Sequence, residues 1–171
     1  SYISNPLLTM VYALPEQPSV TVSSQGNLSH SQMFSAMLNV RHSIGFWSFA
    51  LTGFLQKSFV HYPGANATML SDGRPLCMIN VDNYFQLPKG ILFSLGYKQM
   101  FGGYLETLHL KPLSSLNLSV KKSFLHDRLR LSIDAYDIFN GDKNRYTRQM
   151  HNVIMDGSTK YETRKIGLTL T

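Results

Sequence analysis

The sequence predicts an all-β fold of antiparallel strands in up-and-down order, and three observations support this prediction. Helical periodicity is poor along all 171 residues, whereas several stretches alternate apolar and polar side chains with the period of two that a strand requires. Turn-forming residues bound these stretches. Charged residues make up 15% of the chain and aromatic residues 12%, which suits a surface that contacts lipid and also a compact soluble β domain.

The first predicted hairpin joins Gln32–His42 to Phe46–His61 through the link Ser43-Ile44-Gly45. Its alternation is blurred because Phe46-Trp47 and Phe49-Ala50-Leu51 place apolar side chains on both faces. We therefore predict these two strands without predicting their register.

The second predicted hairpin runs from Met78 to Gln86, turns at Leu87-Pro88-Lys89-Gly90 and returns as Ile91–Phe101. Pro88 fixes its own φ and Gly90 permits a positive φ, so both residues favour a turn. In the return strand, period two separates an apolar set from a mixed set. The first set is Ile91, Phe93, Leu95 and Tyr97, and the second is Leu92, Ser94, Gly96 and Lys98.

The third predicted hairpin is the clearest and joins Ser115–Phe124 to Arg128–Phe139 through Leu125-His126-Asp127. Its second strand places Leu129, Leu131, Ile133 and Ala135 on one face and Arg128, Arg130, Ser132 and Asp134 on the other. Lys165–Thr171 alternates in the same way and predicts one further strand at the end of the chain.

Short and long connections follow one another along the chain. The links at 43–45, 87–90 and 125–127 are short, whereas Tyr62–Pro75 and Asn140–Lys160 are long and polar. The predicted link Phe101–Tyr104 departs from this order unless its loop runs on to Pro112. Transmembrane barrels sort their loops in this way, with short periplasmic turns and longer extracellular loops. We therefore predict an antiparallel up-and-down transmembrane β-barrel, present as a partial wall of about eight or nine strands.

This fold assigns opposite environments to the two strand faces. Leu129, Leu131, Ile133, Phe93 and Leu95 are predicted to face lipid. The predicted lumen set is Ser94, Lys98, Asn117, Ser119, Lys121, Arg128, Arg130, Ser132 and Asp134. On that face, Asp134 is predicted to form an ion-pair ladder with Arg130 or Arg128. The aromatic residues predicted near strand ends, as interfacial girdles, are Trp47, Tyr62, Tyr84, Phe85, Tyr97, Phe101, Tyr104, Tyr136 and Phe139.

The sequence offers no pattern that predicts covalent chemistry. No two of the six histidines stand at HxH or HxxxH spacing, which argues against zinc, and the lone Cys77 lies in an alternating stretch. Asp134 and Asp137 are three apart on a predicted strand, so they point to opposite faces and cannot act as an acid–base pair. We expect no catalytic residue, metal or cofactor, and predict no substrate-binding residue. The net charge of +6 is scattered without a basic run, so we expect no nucleic-acid partner.

Three motifs resemble one family. Gln86–Tyr97 is similar to the "LPKG" hairpin of the Bacteroidota outer-membrane β-barrel family, related to TonB-dependent transporters. Leu116–Asn140 resembles that family's penultimate hairpin, with a "KKFL" turn and a strand ending in "D-I/L-F-N", and Arg164–Thr171 resembles its closing strand. The match is best over residues 76–171 and loose over residues 1–75, chiefly at Ser4-Asn5-Pro6-Leu7-Leu8.

The resemblance implies that residues 1–171 are the C-terminal part of an outer-membrane barrel domain that belongs to a longer chain. It implies uptake of an unidentified nutrient without catalysis. The implied partners are outer-membrane lipid, the remainder of the barrel, a plug, and TonB through a further N-terminal part. Such barrels have about 22 strands and a "Tyr-x-Phe" end, which does not occur before Thr171.

A soluble all-β ligand-binding module, such as a sandwich or a lipocalin-like barrel, is the alternative. The two interpretations predict opposite burial, because the apolar strand faces would point inward in a soluble module and outward in a membrane barrel. A barrel-embedded esterase or protease lacks a Ser/His/Asp constellation and is the most remote alternative.

Overall fold

The structure is a computed structural model that describes residues 2–4, 7–14, 16–27, 30–61, 73–105, 108–126, 128–150 and 153–171. These residues form thirteen β-strands and one turn of 3-10 helix, Pro88–Gly90. The strands are β1 Tyr2–Ser4, β2 Leu7–Leu14, β3 Gln17–Asn27, β4 His30–Ile44, β5 Trp47–His61, β6 Leu76–Leu87, β7 Ile91–Leu105, β8 Leu108–Leu110, β9 Leu113–Phe124, β10 Leu129–Tyr136, β11 Asn144–Met150, β12 Val153–Thr159 and β13 Lys165–Leu170. No helix in this part of the chain is long and apolar enough to cross a membrane.

The described strands run back and forth as eight antiparallel passes of the chain. Three passes are single strands, and each of the other five consists of two consecutive strands. Strand β7 shows this arrangement, since Met100 pairs with Leu113 of β9 while Gly103 pairs with Leu110 of β8. The passes in order are β1 with β2, β3 with β4, β5, β6, β7, β8 with β9, β10 with β11, and β12 with β13. This up-and-down order and the strand number agree with the sequence prediction.

The register defines two chemically different faces on the wall, which consists of β4, β5, β6, β7, β9, β10 and β13. One row across six of these strands is Trp47, Phe85, Phe93, Val120, Ile133 and Leu168. The adjacent row is Ser48, Tyr84, Ser94, Ser119, Asp134 and Gly167. Because neighbouring residues of a strand point to opposite sides, the first row lies on an apolar face and the second on a polar face.

Burial is inverted relative to a soluble β protein. Ile133 is 50% exposed and Leu168 is 73% exposed, whereas Ser115 and Ser132 are buried. Leu129, Leu131, Phe93 and Leu95, which share the apolar face with Ile133, are half-buried by their neighbours in the sheet. The predicted lipid-facing set therefore lies together on one face, the outer face, and the soluble interpretation is not supported. The sheet is not closed within the described residues.

The passes on the C-terminal side are interrupted at one level, which we name the collar: residues 102, 111–112, 137–143 and 160–164. Beyond it, β8, β11 and β12 form a small sheet against the end of β7, which we name the far-rim unit. A small apolar core lies at this level. Its buried members are Leu76, Met100 and Leu113, against which Phe54, Met78 and Leu110 pack.

Three connections differ from the sequence prediction. The predicted strand to Phe139 ends at Tyr136 because Asp137 adopts a φ of 45°. The predicted link Phe101–Tyr104 is wrong, since β7 continues to Leu105 and accommodates Gly102 and Gly103 at positive φ. The predicted loop Asn140–Lys160 contains the hairpin of β11 and β12. Most of the predicted loop Tyr62–Pro75 lies outside the described residues.

Candidate functional site: the inner polar face

The polar face of the wall is the candidate site, because polar side chains from four neighbouring strands meet there around a shallow groove. Register places eight members of the predicted lumen set on this face, while Arg128 lies in the turn before β10. Of the residues that line the groove, register places nine on the polar face: Asp82, Tyr84, Ser94, Gly96, Asn117, Ser119, Lys121, Asp134 and Tyr136. The predicted lumen set had included Ser94, Asn117, Ser119, Lys121 and Asp134 of this lining, but not Asp82 or the inward positions of Tyr84 and Tyr136.

Asp134 is held at the centre of this face by two hydroxyl groups. Ser119 Oγ donates to Asp134 Oδ1 and Ser132 Oγ donates to Asp134 Oδ2, each at 2.5 Å. The predicted ladder with Arg128 or Arg130 is therefore wrong, since short serines on the same face satisfy the carboxylate. Arg130 lies four residues from Asp134 along β10, whereas Ser132 lies two residues away and Ser119 lies directly opposite on β9.

Asp137 organises the collar next to this face. Its side chain is only 2% exposed. The Asp137 carboxylate accepts hydrogen bonds from the backbone N–H groups of Gly141 (2.9 Å) and Asp142 (3.2 Å) and from Thr163 Oγ1 (2.6 Å). Its own backbone N–H donates to Asn117 Oδ1 at 2.9 Å. Asp137 therefore joins β9 to both collar loops, 137–143 and 160–164.

The Asp137 carboxyl is ionised at neutral pH. Burial raises its pKa, but the hydrogen bonds from Thr163, Gly141 and Asp142, together with the charge of Lys143, outweigh burial and leave the pKa below its ordinary value. Asp137 and Asn140 both have positive φ, and Asn140 N–H donates to Asp137 O at 2.7 Å. The Asp137–Asn140 motif that carried part of the resemblance is thus a tight turn that ends β10.

An ion pair ties the same loop to the inner wall. Lys98 Nζ lies 3.0 Å from Asp142 Oδ2, with both side chains partly exposed. Lys98 extends from β7, so the contact spans β9 and brings the loop against the inner face. Lys111 of the collar and Asp156 of the far-rim unit form a looser pair, 3.8 Å apart.

Aromatic residues gather at the rim that carries the short turns. Trp47 stacks on Phe49 and Phe85, with ring centroids 5.3 and 6.5 Å apart, and Phe85 contacts Phe93 at 5.7 Å. Trp47 Nε1 donates to Asn83 Oδ1 at 3.1 Å, which satisfies a polar group on the outer face. This belt confirms the predicted rim position of Trp47 and Phe85.

Other members of the predicted girdles lie elsewhere. Tyr84 and Tyr136 point to the inner face and line the groove. Tyr104 stacks on His109 on the far side of the collar, with ring centroids 4.6 Å apart. Tyr62 lies outside the described residues.

The arrangement supports polar contact rather than proton transfer between carboxylates. Asp134 lies on the wall, whereas Asp137 has left the strand and is enclosed by hydrogen-bond donors. Within the described ranges, no group of three or more His, Cys, Asp or Glu side chains could hold a metal ion. The role of Asp137 could have been suspected from its place in the Asp-Ile-Phe-Asn motif, but its partners come from segments 20 and 26 residues away.

Comparison with known proteins gives one match. No curated protein and no solved structure matches the chain. A family model described as "Outer membrane protein beta-barrel family" matches residues 1–171. Its match agrees with the open up-and-down sheet, the apolar outer face and the polar inner face. The chain therefore belongs to the outer membrane protein beta-barrel family and is located in the bacterial outer membrane.

Proposed function

We propose that this chain is a wall segment of a larger, plugged barrel that takes up a nutrient with energy delivered through TonB. It supplies wall strands, polar groups for the lumen and the extracellular unit beyond the collar. The short turns lie on the periplasmic rim and the far-rim unit on the extracellular rim, as in other outer-membrane barrels. The segment itself performs no catalysis and needs no cofactor.

The main support for a larger barrel is the strand pairing at the two edges of the wall, β4 and β13. In the described part of the chain, residues 34–44 of β4 pair only with β5, and β13 pairs only with β10. An unpaired backbone group in hydrocarbon costs several kcal/mol, so edges of this length require neighbouring strands in a membrane. The remainder of the same barrel is the partner that best fits this requirement.

A plugged interior is supported by the sequence resemblance to relatives of TonB-dependent transporters, and the polar groove on the inner face offers a surface that such a plug can contact. Uptake through TonB is supported by the resemblance of the Gln86–Tyr97 and Leu116–Asn140 hairpins to relatives of TonB-dependent transporters. Bacteroidota origin rests on the same resemblance.

Two measurements on the full natural protein test this proposal. Reconstituted in liposomes, it should not admit arabinose in a swelling assay, while a general porin in parallel liposomes should. It should also bind the purified C-terminal domain of TonB. Free passage of arabinose would show an open pore, and absence of TonB binding would contradict energy coupling.

A further inference from the structure

We propose that the far-rim unit is a hinged extracellular flap and that hydrogen bonds to Asp137 hold it in its observed position on the wall. This inference concerns how the barrel is regulated, and it depends neither on the identity of the nutrient nor on TonB.

The first support is the concentration of irregular backbone at the collar. Gly102 and Gly103 have φ of 80° and 146°, Asp137 and Asn140 have φ of 45° and 53°, and Pro112 interrupts the adjacent pass. Added side chains at both glycines would meet backbone atoms within 3 Å, so the close approach there also needs glycine. These interruptions in three adjacent passes leave β7 as the strand that continues from the wall into the far-rim unit, so we infer that the unit can turn about the end of β7.

The second support is the internal completeness of the far-rim unit. Strands β11 and β12 pair over seven residues each, from Asn144↔Thr159 to Met150↔Val153, and β8 pairs with β11. Thr147 Oγ1 donates to Asp156 Oδ1 inside this hairpin at 2.5 Å. At about 3.3 Å per residue the hairpin extends roughly 20 Å beyond the collar, so a small rotation at the collar moves its tip by several ångströms.

The third support is the place of Asp137 among the contacts at this level. Its carboxylate receives Thr163 from the loop that leaves β12 and two N–H groups from the loop that enters β11. Both ends of the β11–β12 hairpin are thus held by one buried side chain. Through Asn117 and the Lys98–Asp142 pair, the same loop is linked to the inner polar face, so a change on that face can reach the flap.

A distance measurement across the collar tests the proposal on the full natural protein. Nitroxide labels are placed at Ile154→Cys in β12, near the tip of the hairpin, and Gln86→Cys in β6, both exposed positions, in a background carrying Cys77→Ser. Thr163→Val removes only the bond between the collar loops. We expect it to broaden the distance distribution by about twofold, and Asp137→Ala to broaden it further, because both release the base of the hairpin.

Thr147→Val is the matched control, since it removes a threonine–aspartate bond of similar length within the hairpin and leaves the Asp137–Thr163 bond intact. Its distribution should stay close to that of the parent protein. The proposal is overturned if Thr163→Val leaves the distribution unchanged in a folded barrel. It is also overturned if Thr147→Val broadens the distribution as much as Thr163→Val does. Heat-modifiable gel mobility confirms that each variant retains a folded barrel.

Discussion

The wall and the far-rim unit are both antiparallel sheets, yet they are stabilised in different ways. In the wall, β4 to β7 pair over ten or more residues with each neighbour, and side chains repeat in rows of like polarity. In the far-rim unit, β8 is three residues long and attachment depends on a few side chains, chiefly Asp137. Long backbone ladders and solvent polarity fix the wall, whereas a three-residue ladder between β7 and β8 and single side-chain hydrogen bonds place the far-rim unit.

This difference predicts opposite sensitivities. A substitution in the wall should matter according to the face it occupies, because one face meets lipid and the other meets polar groups. In the collar, a substitution should destabilise the structure according to the hydrogen bonds it removes, largely regardless of the hydropathy of the new side chain. The following predictions test this contrast, beginning with the largest expected effect.

Leu95→Arg on the outer face should reduce the free energy of folding into phospholipid vesicles by about 2–4 kcal/mol, because it places a charge against the bilayer core. Ser94→Arg is the adjacent control on the inner face, where Asp82 and Asp134 line the same groove. Urea titration of both variants measures the difference. Equal losses would contradict the assignment of the two faces.

Acidification should release the far-rim unit while leaving the wall folded. Because the folded-state pKa of Asp137 lies below its unfolded value, its stabilising contribution is present at neutral pH and is lost as pH falls through the folded pKa. Hydrogen bonds to a charged group contribute about 1.5–3 kcal/mol. The charged groups around it are Lys143, Asp142 and Lys98.

The measurement is the label distance between positions 154 and 86 from pH 7 down through the ordinary aspartate pKa of about 3.9. The distribution should broaden below that value in the parent protein. In Asp137→Asn, which cannot ionise, the broadening over this pH range should be absent. Persistence of the same pH dependence in that variant would assign the titration to another group.

The predictability of the chain from its sequence follows the same division. The alternation in Ile91–Phe101 and Arg128–Phe139 predicted both faces, since period two is a local property that survives any tertiary arrangement. The strands β11 and β12 were missed because the turn signals Asn140-Gly141-Asp142 and Asp156-Gly157-Ser158 mark this stretch as a polar loop. These strands pair with each other, and β11 also pairs with β8, which the local sequence pattern does not encode.

The inner site was predicted in composition but not in connectivity. Ser119, Ser132 and Asp134 were correctly placed on one face, because side chains alternate between the two faces along each strand. Their hydrogen bonds were not, because the choice between serine and arginine partners depends on side-chain reach across strands. Asp137 was misplaced on a strand, since a left-handed φ at a non-glycine residue has no reliable local signal.

A smaller effect is expected from Ser119→Ala on the inner face. It removes one of two hydroxyl donors to Asp134 and should cost about 1 kcal/mol, because the groove is open enough for water to replace part of the lost bond. Ser43→Ala is the control, as Ser43 is exposed on the same face and makes no side-chain hydrogen bond to the described residues. Urea titration in vesicles measures both, and an equal cost would mean that the serine–aspartate contact does not stabilise the wall.

The smallest expected effect concerns the aromatic belt. Trp47→Phe keeps a ring against Phe49 and Phe85 but removes the indole N–H that donates to Asn83, so it should cost about 0.5 kcal/mol. Trp47 is the only tryptophan of this chain, so its position in the bilayer can be read from fluorescence quenching by brominated lipids, with any tryptophan elsewhere in the natural protein replaced. Because the belt lies at the short-turn rim, bromine near the headgroups should quench Trp47 more than bromine near the bilayer centre. Stronger quenching by bromine near the bilayer centre would show that the short-turn rim does not lie at the membrane interface. It would also contradict the contrast drawn between the wall and the far-rim unit.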